Sequence, residues 1–351
     1  AWIDYGDDLA ETLADRVGAQ AAEVTVMNTR TVNLHLLMVR FYRPSGRRCK
    51  ILIESGAFPS DRYAVESQIR FHGLDPERCL VELPADPDSR LIEESDLETW
   101  LQAHGDEVAL ILWPGVQYAS GQAFDLQRIA AAGHAAGARV GFDLAHSAGN
   151  LPLRLHDSGC DFAAWCTYKY LNGGPGAVAA AFVHARHAGD SSLPRFEGWW
   201  GNDRSGRFRM EPRFTPAAGA EGWQLSNPPI LAMAPLRASL ALFRDAGVIR
   251  LRAKSRSMTQ WLAQAVEDRL GEVLEILTPA DPERRGCQLS LRVRTGPEDG
   301  RLLHRWLEQQ GVVTDWREPD ILRVAPVPLY NRYEDCYGLL RQVSDWSGQA
   351  R

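Results

Sequence analysis

The chain has 351 residues, of which 45% are hydrophobic, 24% charged and 9% aromatic; this excludes collagen-like, disordered and mini-protein classes and leaves a globular protein with a sizeable core. At about 100 to 200 residues per domain, the length predicts two domains, or one large α/β domain with an appendage. A formal net charge of −6 gives no electrostatic footing for nucleic acid or an anionic membrane, so small molecules are the expected ligands.

In chain order, Ala1-Trp2-Ile3-Asp4-Tyr5 runs almost directly into a helix-like segment, Asp8 to Val17, and this start is expected to lie inside a longer protein. An apolar strand then leads into Asn28-Thr29-Arg30-Thr31-Val32-Asn33, and helical spacing covers Thr31 to Tyr42. The basic cluster Arg43 to Lys50 reads as a solvated loop. Strands follow at Lys50 to Glu54, Cys79 to Leu83, Val108 to Trp113, Arg139 to Asp143, Asp161 to Trp165 and Ala177 to Val183. Between them lie helices at Asp61 to His72, Glu94 to His104 and Asp125 to Ala136. This alternation predicts an α/β protein with a large, mostly parallel sheet covered on both faces.

From Pro228 the character changes. A long helical stretch, Ile230 to Leu270 with a break near Ala246-Gly247, precedes strands near Val273 to Leu277, Gln288 to Val293 and Ile321 to Val324. Helices near Glu298 to Gln310 and Asn331 to Trp346 complete a smaller C-terminal α/β domain, so the domains are placed at 1–227 and 228–351. No apolar run approaches the roughly 20 residues that span a bilayer. The six cysteines are scattered without C-x-x-C or zinc-like spacing and read as reduced thiols of a cytoplasmic protein, and no metal is expected.

Dinucleotide, P-loop and H-E-x-x-H zinc signatures are absent. Ala145-His146-Ser147-Ala148-Gly149 is a variant of the nucleophile elbow and keeps a serine hydrolase on Ser147 as an alternative. More informative is the lysine count. Of 39 basic residues only Lys50, Lys169 and Lys254 are lysines, and only Lys169 lies in an apolar, aromatic strand that runs into a glycine turn. A partly desolvated lysine has a lowered pKa and can form a Schiff base, which arginine cannot; a lysine snorkelling from a strand end is the plainer alternative.

Asp143 sits where a strand should end, His146 follows in the next turn, and Lys169 follows the next strand. Ligands of open α/β sheets bind at the carboxyl ends of the strands. An acid, an imidazole and an amine at one sheet edge is what pyridoxal phosphate (PLP) requires: the amine holds the aldehyde and the carboxylate keeps the pyridine nitrogen protonated. Taken alone, Asp143 as a helix N-cap is the plainer alternative. The Asn28 to Asn33 segment offers N–H and hydroxyl donors for a phosphate at a helix start. Phe58-Pro59-Ser60-Asp61 offers a flat ring and further donors, although Phe58 could be ordinary core.

These residues, with Thr31-Val32-Asn33-Leu34-His35-Leu36, Tyr168-Lys169-Tyr170-Leu171-Asn172, Gly198-Trp199-Trp200-Gly201, Ser226-Asn227-Pro228-Pro229-Ile230 and Arg323-Val324-Ala325-Pro326-Val327-Pro328, stand in an order that resembles the kynureninase family. The resemblance implies a fold-type I PLP enzyme of the aspartate aminotransferase superfamily. Its activity would be hydrolysis of L-kynurenine or 3-hydroxy-L-kynurenine to anthranilate or 3-hydroxyanthranilate plus L-alanine, a step of tryptophan catabolism and NAD biosynthesis.

It further implies that Lys169 is the Schiff-base lysine, Asp143 the partner of the pyridinium nitrogen, His146 a contact near the phenolic oxygen and Phe58 the stacking ring. Arg30, Thr31, Ser60, Asp61, Tyr168 and Trp199 would line the cofactor, with Tyr168 and Trp199 at its phosphate. Tyr168 would also be a general acid/base. Asn227 would lie by the cofactor and the substrate's aryl ring, Arg323 would clamp the α-carboxylate, and a homodimer would be the assembly. Two features depart from the family. The Gly-Asn-Ser-Leu-Gly-type segment of a kynureninase N-terminal arm is absent from this sequence, and Pro114-Gly115 stands where a hydroxyl residue is expected. Another fold-type I enzyme, a cysteine desulfurase or aminotransferase, and an inactive PLP-binding homologue are the alternatives.

Overall fold

A computed structural model describes residues 2–190 and 194–349; Ala1, which opens the expected internal start, lies outside the described residues. The chain divides into two compact units. The first runs to Ala85 and adds Ile92–Gly115 and Phe124–Leu242; the second takes Asp86–Leu91, Val116–Ala123 and the chain from Phe243 onward. The boundary thus falls at Leu242 and not at 227, because Met233, Leu236 and Leu240 are buried in the core of the first unit.

The first unit holds seven strands: β1 (Val24–Val26), β2 (Lys50–Glu54), β3 (Leu80–Leu83), β4 (Val108–Pro114), β5 (Arg139–Asp143), β6 (Phe162–Trp165) and β7 (Ala180–Val183). They form one sheet in the order β1-β7-β6-β5-β4-β2-β3. The five strands from β3 to β6 are parallel, as expected, whereas β7 runs antiparallel to β6 and β1 antiparallel to β7. The reason is local. Between β6 and β7 the chain turns at residues 167–176 without a crossover helix, and a direct return can only pair antiparallel. The third strand starts at Leu80, since Cys79 closes a short helix, Pro76–Cys79, and the last starts at Ala180, both later than their hydrophobic runs suggest.

Side chains alternate across this sheet. Leu52, Ile111, Val140, Phe142 and Trp165 face one core cluster, while Ile51, Ile53, Leu110, Leu112, Phe162 and Ala164 face another. The second cluster is covered by helices Arg30–Phe41 and Pro59–Phe71 through Leu34, Leu37, Met38, Phe41, Ala64, Val65 and Ile69. Gly141 points to this face beside its β6 partner Phe162, and a Cβ there would meet the Phe162 ring at 2.1 to 2.5 Å. Continuing the alternation by one step carries Asp143 to the same side as the two helices. That places an acid at the carboxyl end of β5, over their first turns.

The second unit carries β8 (Leu274–Ile276), β9 (Leu289–Val293), β10 (Asp315–Arg317) and β11 (Ile321–Val324) in an antiparallel sheet ordered β10-β11-β9-β8. Helices Val248–Leu270, Pro297–Gln309 and Tyr333–Gln349 belong to it. The helical break expected near Ala246-Gly247 falls at Gly247, whose φ of 77° ends Ile230–Ala246 before Val248–Leu270 begins. The strand β10 has no counterpart in the sequence reading; its three residues are polar or aromatic and carry no apolar run. No helix is long and apolar enough to cross a membrane among the described residues.

Candidate active site

Two loops bring the phosphate-type donors together. Asn28 adopts a left-handed φ of 49° and donates from Nδ2 to Asn33 Oδ1 at 3.0 Å, while Asn33 donates to the Met27 carbonyl at 3.0 Å. This pins the turn that starts helix Arg30–Phe41. Phe58-Pro59 starts the neighbouring helix Pro59–Phe71, with proline in its first turn. Thr31 Oγ1 and Ser60 Oγ then lie 2.9 Å apart, one hydroxyl from each helix start. Two helix N-termini with adjoining hydroxyls are a ready anion cradle.

Around this cradle lies a charge cluster. Arg30 is buried; its Nη1 donates to Asp61 and forms an ion pair with Asp143 Oδ2 at 2.8 Å. Asp143 Oδ1 accepts the Ala145 N–H at 2.9 Å, which fixes the carboxylate plane at the end of β5. Burial works against the Arg30 charge, yet Asp143 and Asp61 raise its pKa above the ordinary value. Burial and the charge of Asp143 push the Asp61 carboxyl well above the usual range, with Arg30 opposing them. Glu54, at the end of β2, is likewise held well above it by burial and by Asp61 and Asp143. Glu54 escaped the sequence reading, although an acid closing the apolar run Ile51-Leu52-Ile53 was a visible signal.

Lys169 follows β6 in a turn closed by Asn172 N–H to the Lys169 carbonyl at 3.0 Å and Gly173 N–H to the Thr167 carbonyl at 2.8 Å. Its Nζ lies 3.2 Å from His146 Nε2 and 5.7 Å from the centroid of the Phe58 ring. The Arg30 guanidinium carbon is also 5.7 Å from that centroid. Amine, carboxylate pair and aromatic face therefore surround one space, next to the cradle of Thr31 and Ser60. The donor set fits PLP: an amine for the aldehyde, a carboxylate for the ring nitrogen, a ring to stack on and an anion site for the phosphate. Tyr168 is half-exposed, and burial together with Cys166 raises its pKa. Trp199 is exposed and packs edge-on against Trp200 and Phe208. Asn227 is exposed and accepts from the Ser226 hydroxyl at 3.3 Å.

Ser147, the alternative nucleophile, is fully buried beneath Gly115, where a Cβ would stand 2.4 Å from its Oγ. No substrate can reach it, and the hydrolase alternative falls. In the second unit Arg323 lies on β11 opposite Asp315 on β10. Its Nε donates to Asp315 Oδ2 at 2.6 Å, Nη2 pairs with the same oxygen, and Nη1 donates to the Tyr118 carbonyl at 2.7 Å.

Comparison with known proteins fits this constellation. Residues 251–343 match the family model of the kynureninase C-terminal domain. The kynureninase of Stenotrophomonas maltophilia (strain K279a) is 59% identical over 347 residues, covering 99% of this chain and 82% of that one. That of Xanthomonas euvesicatoria pv. vesicatoria (strain 85-10) is 58% identical over 346 residues, with 99% and 82% covered. Among solved structures, a C-DES mutant with glycine covalently linked to its PLP cofactor superposes with a TM-score of 0.81 at 20% identity, covering 96% of this chain and 84% of that one. An apo cysteine desulfurase from Thermococcus onnurineus NA1 gives 0.79 at 17%, covering 97% and 83%. These two establish the fold only. At close to 60% identity over nearly its full length, the chain belongs to the kynureninase family.

Proposed function

We propose that the space between Lys169, Asp143 and Phe58 is where this kynureninase-family hydrolase converts L-kynurenine, or its 3-hydroxy form, to anthranilate, or 3-hydroxyanthranilate, and L-alanine. The observation that carries the reading is the convergence of the Lys169 amine and the Arg30-held carboxylate pair on one aromatic ring, each cation 5.7 Å from its centroid. Bound PLP supplies an aldehyde for the amine and a ring that takes up the electron pair released at the substrate's Cα.

The chain's residues do the rest. Thr31 and Ser60 hold the phosphate at the two helix starts, with Tyr168 and Trp199 beside them. Asp143 holds the ring nitrogen and Phe58 stacks on the ring. Lys169 removes the Cα proton, and His146, 3.2 Å away, is within reach to exchange it. Tyr168, like any phenol, holds its proton at neutral pH, and burial raises its pKa further, which suits it to donate to the ketone oxygen as water adds and then to take the proton back. Asn227 contacts the aryl ring and its hydroxyl when present. Arg323 binds the α-carboxylate: Asp315 and Tyr118 use three of its five N–H groups, leaving one on each terminal nitrogen. A homodimer and a cytoplasmic location, without nucleic-acid or membrane partners, belong to the same proposal.

Incubating the PLP-loaded protein with each kynurenine and analysing products tests the reading. Equal amounts of the aryl amine and alanine are expected. Sulfur release from cysteine, or transamination, would instead favour a desulfurase or aminotransferase. Stable PLP binding with no turnover would favour an inactive homologue.

A further inference from the structure

We infer that Arg30 is a positioning residue that competes with the cofactor's ring nitrogen for Asp143, so that this chain binds PLP more weakly than the same site would with an apolar residue at position 30. The inference rests on the functional reading above.

Both oxygens of Asp143 are already engaged. Oδ1 accepts the Ala145 N–H at 2.9 Å, and Oδ2 is ion-paired with Arg30 Nη1 at 2.8 Å. The backbone contact orients the carboxylate, and its second oxygen is the one paired with Arg30. Arg30 is no mobile surface residue: its side chain is 8% exposed and bridges Asp61 as well. Its guanidinium stands as close to the Phe58 ring as Lys169 does, which puts a second fixed cation beside the position of the pyridine ring. A neighbouring cation disfavours protonation of that nitrogen, and a shared acceptor weakens the bond to it.

The arrangement also has a reason to exist. Glu54, Asp61 and Asp143 are three buried acids at one sheet edge, and an unpaired buried charge is costly. Arg30 neutralises the pair it touches. Replacing it with leucine leaves Asp61 to keep its proton and frees Asp143 Oδ2 for the ring nitrogen.

The test titrates cofactor-stripped protein with PLP and with its 1-deaza analogue, in which C–H replaces the ring nitrogen, following absorbance and tryptophan fluorescence. In Arg30→Leu the Kd for PLP should fall by at least about tenfold, the scale of one charge-assisted hydrogen bond. The Kd for the analogue, which has no nitrogen to offer Asp143, should stay within about twofold. Arg30→Gln keeps length and polarity without charge and should move in the same direction; it decides the matter if the leucine variant does not fold. Unchanged or weaker PLP binding in a folded variant, or an equal gain for both compounds, overturns the inference. A wild-type chain that fails to bind PLP at all would overturn the functional reading along with it, whereas normal wild-type binding with no response to either variant overturns only the role of Arg30.

Discussion

Arg323→Ala gives the sharpest test of the substrate clamp. The two N–H groups left on Nη1 and Nη2 would each form a charge-assisted bond to the substrate carboxylate, worth about 1.5 to 3 kcal/mol. Taking about 3 kcal/mol for the pair, the loss corresponds to roughly a hundredfold rise in KM at 1.4 kcal/mol per decade. The contact is made equally in ground and transition states, so kcat should change far less than KM. The variant should remain folded, because Asp315 is 44% exposed and keeps Arg317 Nε at 2.9 Å, so no buried charge is orphaned. Arg323→Lys, which retains charge but not the planar fork, should fall between the two. Steady-state kinetics with kynurenine, beside thermal melts, provide the measurement. An unchanged KM in a folded Arg323→Ala protein would refute the clamp.

Borohydride reduction of the PLP-loaded protein should fix the cofactor to the peptide carrying Lys169, and Lys169→Arg should abolish turnover because a guanidinium cannot exchange the aldehyde; labelling at Lys50 or Lys254 would contradict the assignment. Glu54 is raised above its ordinary pKa in the folded chain, so the stability it confers is kept at low pH and lost as pH rises through the folded value. Glu54→Gln should therefore come nearest the wild-type melting temperature below about pH 4 and exceed it increasingly as pH rises, and a pH-independent difference would sink the idea. Gly141→Ala drives a methyl into the Phe162 ring at 2.1 to 2.5 Å. It should cost about 1 to 3 kcal/mol in denaturant unfolding, and a neutral substitution would show that the β5–β6 approach is looser than described.

Much of the site was legible because its key residues close strands. Asp143 ends the apolar run of β5, and Lys169 is the single lysine in apolar surroundings, so local pattern and composition were enough to propose both. The parallel strands β2 to β6 were legible for the same reason. What the sequence withheld depends on partners far apart in the chain. Nothing near Arg30 announces that it reaches Asp61 and Asp143, and nothing near Arg323 announces Asp315, whose strand β10 lacks any hydrophobic period. The antiparallel edge formed by β7 and β1 was hidden too, since periodicity reports which face a residue takes and not which way its neighbour runs.

The contact between Thr31 and Ser60 has a consequence for how the protein survives. Each helix start carries roughly half a positive charge, and here two such ends are held side by side by packing of Leu34, Leu37, Ala64 and Val65. An anion held between the two ends is favoured by both at once. A phosphate-bearing ligand that binds only the folded form adds stability in proportion to the logarithm of its concentration over Kd. Cofactor concentration is then a term in the folding stability of the polypeptide as well as in its chemistry.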